Sequence, residues 1–265
     1  MSGPLAGRVA LVTGVSRRAG IGFAIARRLL ADGASVFAQS WTGHDAEQPW
    51  GADPGGIDAV LGGLGGLGER LAHVAADFTD PEAPAAVVDA VVGTFGGLDI
   101  VVANHARSSH HGLGDLSAEE LDRCWAVNVR STLLLVQEWA ARRPAEHPGG
   151  RLVLFTSGQH IGPMSAMSAE LPYAVTKAAV HQMTSLLANA LIDRGITVNC
   201  VNPGPTDTGW AGPEQTEAVQ AMMPAGRWGQ PDDAARLVAW LVSDEARWIT
   251  SQVIDSEGGF RRWAR

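Results

Sequence analysis

Tyr173 and Lys177 stand four residues apart in the stretch LPYAVTKAAV, and each is the only residue of its kind in the chain. On a helix, positions i and i+4 share a face, which would bring the ammonium close enough to act on the phenol. A free phenol titrates at about pH 10, so one that gives or takes a proton near neutrality needs an adjacent positive charge to favour its anion. Lysine supplies that charge as a compact donor, where the planar guanidinium of arginine would present a different geometry. All other side chains of this basic pair of types are arginine. Retention of one lysine points to a demand at position 177 that arginine does not meet.

A second constellation lies near the N-terminus. VALVTGVSRRAGIGFAIARRLL (9–30) places a strand, a glycine-bearing turn and a helix in that order. Gly14, Gly20 and Gly22, with Ser16 and Ile21 in the same turn, would let the backbone turn sharply, approach a pyrophosphate and pack the helix on the strand. The helix N-terminus would then face the anion, as in dinucleotide binding. Choice of dinucleotide depends on the end of the second strand, where a carboxylate would bond the adenosine 2′-hydroxyl and repel a 2′-phosphate. The sequence there is FAQSW, with no acid before Asp45, while Arg17 and Arg18 in the glycine turn are placed to pair with a phosphate. This favours NADP(H). The alternative leaves both arginines as solvated loop charges and folds Asp45 or Glu47 onto the ribose, which would take NAD(H).

The chain that must position these residues has 265 residues and is 46% hydrophobic, enough for one substantial core and a single domain over 1–265. With 20 basic against 28 acidic residues it carries a formal charge of −8, and its arginines form no basic stripe, which argues against nucleic acid. Cys124 and Cys200 build no disulfide framework, which fits a reducing cytoplasm. No stretch reaches the roughly 18 to 20 apolar residues of a membrane span, so a soluble protein is expected.

Short β-branched runs fall at 8–13, 35–38, 72–76, 98–103, 151–156, 196–201 and 252–255. Amphipathic stretches lie between most of them, at 21–32, 82–95, 119–141 and 174–193. The alternation predicts an α/β, single-domain Rossmann fold: a doubly wound parallel sheet of about seven strands with helices on both faces. Residues 41–70 break the rhythm with the polar loop WTGHDAEQPW and the glycine-rich GGIDAVLGGLGGLGER, and read as a surface excursion with one short helix.

TGVSRRAGIG, ANHA (103–106), VNVRS (127–131), FTSG (155–158), YAVTK (173–177) and VNPGPTDTG (201–209) together resemble the short-chain dehydrogenase/reductase family, in its order and over almost the whole chain. The branch most similar is that of 3-oxoacyl-carrier-protein reductases. The resemblance implies hydride transfer between a nicotinamide and a carbonyl or alcohol, with Tyr173 giving or taking the proton. Lys177 would lower the tyrosine pKa and bind the nicotinamide ribose, Ser157 would hydrogen-bond the substrate oxygen, and Asn128 would hold a water linking Lys177 to solvent. Such roles suit the side chains, since a developing alkoxide needs fixed donors within hydrogen-bond reach. The resemblance also places Asn104 beside the adenosine part, Asp77 and Phe78 at the adenine, and Pro203, Gly204, Thr206 and Thr208 around the nicotinamide end and pyrophosphate. Simple turn roles for Asp77, Thr206 and Thr208 stay open.

Three departures stand out. The glycine turn is two residues longer than the common form, the usual NNAG reads Ala103-Asn104-His105-Ala106, and Ser157 precedes Tyr173 by sixteen positions where the family more often has thirteen. An insertion in GPMSAMSAELP (162–172) accounts for the last; the alternatives put Ser165 or Ser168 in the serine role, or His160, which occupies the usual spacing, as a donor to the substrate.

Residues 205–228 look like a substrate lid, with Trp210, Met222, Met223 and Trp228 either covering an apolar or aromatic ligand or packing the lid onto the domain or a neighbouring subunit. His160, Met164 and Trp210 are the candidate substrate contacts. His110 and His111 lack partners at metal spacing, so no metal is assigned. The expected function is an NADPH-dependent carbonyl reductase acting on a small-molecule carbonyl or alcohol, working as a homotetramer or homodimer. The rival reading recruits the fold to a non-redox role such as a cyclase, dehydratase or cofactor-sensing binding protein.

Overall fold

Val9–Thr13 reads VALVT and is buried along almost its whole length, as a central strand of a parallel sheet covered on both faces must be. In the computed structural model, which describes residues 3–144, 147, 149–161 and 170–262, this strand is β1. It is followed by α1 (Ile21–Ala31), β2 (Ser35–Ser40), α2 (Thr42–Glu47), α3 (Gly56–Gly63) and β3 (Leu71–Ala75). The middle of the chain holds α4 (Ala83–Phe95), β4 (Ile100–Ala103), α5 (Ala118–Trp125), a π-turn at Ala126–Arg130, α6 (Ser131–Arg142) and β5 (Arg151–Phe155). Then come α7 (Leu171–Leu191), β6 (Thr197–Asn202), α8 (Pro213–Ala221), α9 (Pro231–Val242) and β7 (Val253–Asp255).

The seven strands form one parallel sheet in the order β3-β2-β1-β4-β5-β6-β7. Alternate residues of each strand feed opposite cores. Val12, Val36, Val102 and Val153 pack with α1 and α9, while Leu11, Phe37, Val101 and Leu154 pack with α4, α6 and α7. Chain order reverses between β1 and β4, and that reversal leaves a crevice beyond the carboxyl ends of those two strands. Fold class and strand positions thus follow the sequence expectation to within a residue or two at most ends. Among the described residues no helix is long and apolar enough to cross a membrane.

Two segments differ from expectation. The helix expected over 119–141 is broken by the π-turn, which inserts a residue between α5 and α6 and carries Asn128. Residues 41–70 form two short helices rather than a loose excursion with one. Val60 is fully buried against the core that holds Phe23, and the buried carboxylate of Asp53 accepts the Arg18 backbone N–H at 2.9 Å and its Nη2 at 2.8 Å. The glycines do weaken these helices; the apolar pair Val60-Leu61 and the Asp53 anchor hold them down.

Candidate active site

Pro172 in the first turn of α7 starts the helix that bears Tyr173 and Lys177. The helix is locked to the end of β5 from both sides. Thr156 Oγ1 donates to the Lys177 carbonyl at 2.7 Å, and the buried Lys177 ammonium donates to the Phe155 carbonyl at 2.8 Å. Ser157 lies two residues beyond the end of β5, where its hydroxyl is close enough to favour the Tyr173 phenolate and both side chains line one cavity. The sixteen-residue separation therefore does bring Ser157 to Tyr173. Met164, Ser165 and Ser168 lie outside the described residues; His160 has its backbone in a short 3₁₀ turn, Gly158–Ile161, and its side chain is likewise outside the description.

The electrostatics of the pair run opposite to the expected lowering of the phenol. Burial pushes Tyr173 up, the Glu170 carboxylate adds to this, and the Ser157 hydrogen bond opposes it. Lys177 sits 5.6 Å from the centroid of the tyrosine ring with its ammonium turned to the Phe155 carbonyl, and burial pushes its pKa down to about 8. At neutral pH the site thus holds a protonated phenol beside a charged lysine.

Asn128 is fully engaged by protein. Its Oδ1 accepts the Arg107 N–H at 2.7 Å, and its Nδ2 donates to the Arg107 carbonyl at 3.0 Å and to Thr176 Oγ1 at 2.9 Å. It fixes the segment after β4 to α7, one residue before Lys177.

Tyr173 and Ser157 line one end of a cavity of about 600 Å³. The other end begins at the glycine turn, with Gly14, Ser16, Arg17, Gly20 and Ile21, and passes Asp77, Phe78 and Asn104. Pro203, Gly204, Thr206, Thr208 and Trp210 form a further wall. Gly14 has φ +73°, and a Cβ there would lie 2.9 Å from the His105 Cα. At Gly22, which packs beneath the turn, a Cβ would lie 2.4 Å from the Gly14 carbonyl. The first turn of α1 has no side-chain cap and no acid, so its N–H groups are left for an anion. These features fit a dinucleotide pyrophosphate. Asn104 Nδ2 ties the turn together by donating to the Thr13 carbonyl at 3.0 Å. Asp77 and Thr206 also make the local turn bonds, to the Thr79 N–H and to the Pro203 and Gly204 carbonyls.

The two arginines of the glycine turn part company. Arg17 Nη2 donates to the Thr208 carbonyl at 2.5 Å, and its guanidinium lies 5.9 Å from the Trp50 ring at the cavity wall. Arg18 points away into its pairing with Asp53, which holds that carboxyl well below the usual range. Arg18 is thus paired with Asp53 and is not part of the cavity lining. At the end of β2, Gln39 bonds Gly14 N–H and the Ala76 carbonyl, and the acids Asp45 and Glu47 reach the cavity from α2. In the lid, Met223 and Trp228 are buried with Phe260 in a small core of their own, while Trp210 faces the cavity and packs edge-on against Trp228.

Several lining residues carried no sequence signal of this role. His44 Nε2 accepts the Ser108 N–H at 3.2 Å, and Trp50 meets the His110 ring 6.1 Å away, so segment 41–53 straps across the cavity from the glycine turn to the loop after β4. Glu170 accepts from His110 Nδ1 at 3.1 Å and from Gln159 Nε2 at 2.7 Å. Arg262, near the C-terminus, lines the cavity beside Gly158. The Trp-flanked composition of 41–50 was the one hint of the strap; nothing in the local pattern marks Arg262.

A family model described as enoyl-(acyl carrier protein) reductase matches residues 14–261. An uncharacterized oxidoreductase of Bacillus subtilis is 39% identical over 256 residues, covering 96% of this chain and 97% of its own. An NADPH-dependent aldehyde reductase-like chloroplastic protein of Arabidopsis thaliana is 36% identical, covering 97% and 95%. Among solved structures, a short chain dehydrogenase from Burkholderia cenocepacia in complex with NADP superposes with a TM-score of 0.83 at 36% identity, covering 97% of this chain and 98% of that one. The chain belongs to the short-chain dehydrogenase/reductase family, and it is an oxidoreductase by that membership.

Proposed function

We propose that the protein reduces a ketone or aldehyde to the alcohol, or runs the reverse reaction, with NADPH as the preferred cofactor. The observation that carries this reading is the placing of Ser157 and Tyr173 together in the lining of a cavity that also takes in the glycine turn. When bound, the nicotinamide supplies or takes the hydride. In the reductive direction Ser157 and Tyr173 both donate to the carbonyl oxygen, and Tyr173 passes its proton to that oxygen as the carbon gains hydride. The elevated phenol pKa keeps the proton in place until charge builds on the substrate, and the Lys177 ammonium, 5.6 Å from the ring centroid, is the positive charge nearest to hand for the phenolate left behind.

Preference for NADPH is supported by the absence of an acid within β2 and by the solved relatives crystallised with NADP or NADPH. Arg17 is the remaining guanidinium of the glycine turn that reaches the cavity. For assembly we favour a homotetramer or homodimer through α6 and α7, which expose Leu133, Val175 and Leu186; light scattering tests it. The cysteines, both free and buried, suit a cytoplasmic protein.

The deciding experiment follows NADPH and NADH oxidation against β-ketoesters, acyl thioesters, aromatic ketones and quinones, with Tyr173→Phe as the blank. Turnover that favours NADPH and disappears in the variant is expected. A reaction indifferent to that substitution would overturn the reading.

A further inference from the structure

The end of the cavity that holds Ser157 contains a charged side chain from the far end of the sequence. The Arg262 side chain is 7% exposed, and its Nη2 donates at 2.8 Å to Glu257 Oε2, which also accepts from Asn202 Nδ2 at 3.1 Å. The guanidinium lies over the Phe260 ring, 5.2 Å from its centroid. It also presses on the catalytic strand end: a Cβ on Gly158 would fall 1.8 Å from Nη2 and 2.5 Å from Cζ. Only a residue without a side chain admits the arginine at that place. Glu257, Asn202, Phe260 and Gly158 thus hold the guanidinium as a rigid plane at the cavity wall, next to the serine that bonds the reacting oxygen.

Among the described residues Glu257 is the acceptor that the guanidinium meets, through Nη2, and the side chain lines the cavity, where its remaining N–H groups are open to a ligand. A guanidinium held in place in this way is a preorganised donor, and a site built around it discriminates between ligands that do and do not supply an acceptor. We propose that Arg262 is a specificity-determining residue, selecting carbonyl substrates that carry a second acceptor oxygen beside the one reduced. The inference rests on the reductase reading above. Glu257 already balances the guanidinium charge, and Glu170 adds another carboxylate to the cavity, so the second oxygen is that of an uncharged ester, amide or ketone rather than a free acid.

The test uses the full-length enzyme with saturating NADPH and paired substrates: butane-2,3-dione against butan-2-one, and ethyl 3-oxobutanoate against both pentan-2-one and the free 3-oxo acid. Because a second carbonyl raises intrinsic reactivity, the readout is the change in the kcat/KM ratio of each pair on substitution, not the ratio itself. Arg262→Met combined with Glu257→Gln removes the guanidinium donors without leaving a buried charge unpaired. It is expected to lower the dioxygenated-to-monoketone ratio about tenfold or more, whatever its effect on the monoketone rate itself. An unchanged ratio, a selective rise in the KM for NADPH, or a preference of the parent for the free acid would overturn the proposal. Stabilisation of the NADP-loaded protein by ethyl 3-oxobutanoate, read as a shift in Tm that the double variant loses, reports the same contact without turnover. A shift without turnover would keep the role of Arg262 and sink the reductase reading; neither shift nor turnover in the parent would overturn the proposal.

Discussion

Thr13 and His105 share a hydrogen bond of 2.7 Å between the Thr13 hydroxyl and His105 Nδ1. The same hydroxyl accepts the backbone N–H groups of Asn104 and His105 and lies 3.2 Å from the Val102 carbonyl. At the other side of the ring, Nε2 is 2.9 Å from Ser131 Oγ, whose proton goes to the Val127 carbonyl. His105, which stands where the family motif has alanine, is a strut between the end of β1 and the π-turn.

That strut titrates against the fold. Burial, with the Lys177 charge nearby, pushes the His105 pKa down to about 3. An unfolded histidine takes up its proton at about pH 6.5, so the stability it contributes is present above that pH and is lost as pH falls towards 3. Between pH 7 and pH 5 this one residue should cost about 2 kcal/mol of unfolding free energy. Urea unfolding of the parent and of His105→Gln at the two pH values checks it; equal losses in both proteins would count against the assignment.

Tyr173→Phe should lower kcat by roughly 10²- to 10⁴-fold, the usual worth of a positioned proton donor. Cofactor affinity, measured by quenching of protein fluorescence, should change little. A large loss of binding instead would place the phenol at the cofactor rather than at the proton.

Lys177→Arg should impair turnover and also stability, by about 1 to 3 kcal/mol, because a larger group must enter a site whose lysine is 4% exposed. Near-normal activity would remove the proposed reason for the chain's only lysine. The pH sign is separate. With a folded pKa of about 8 against about 10.5 unfolded, the unfolded chain binds more proton across that interval. Parent stability relative to Lys177→Met should therefore rise as pH climbs from about 8 to 10.5, in denaturant titrations at stepped pH.

Gly22→Ala sets a methyl group against the Gly14 carbonyl, backbone against which neither element can yield easily. Weaker NADPH binding by about tenfold or more is expected from displacement of α1 relative to the turn. Isothermal titration would show it, and unaltered affinity would remove the glycine turn from the cofactor site.

The sheet was legible because each strand is a short apolar run bounded by turn residues, and burial on both faces leaves few other readings for VALVT or RLVLF. Tyr173, Lys177 and Ser157 were legible because their chemistry is local to one helix and one strand end. The Ser157–Tyr173 separation stayed open, since nothing in the intervening residues says where a loop bulges. Segment 41–53 was misjudged for a different reason: polar and glycine-rich residues look solvated until Asp53 and Trp50 find Arg18 and His110, partners distant in sequence. Arg262 was invisible because its meaning depends on Gly158, a hundred residues earlier in the chain.

The π-turn at Ala126–Arg130 has a consequence for phase. One residue of a helix corresponds to about 100° of rotation, so α5 and α6 are wound out of step by that amount. On α6 this setting aims Trp139 inward, where its indole donates to the Leu98 carbonyl at 2.9 Å. Removing one residue from the turn would restore an uninterrupted helix and swing the indole off that carbonyl. Length in this segment acts as an angular setting, and an indel there changes which face of α6 meets the sheet before it changes how far the helix extends.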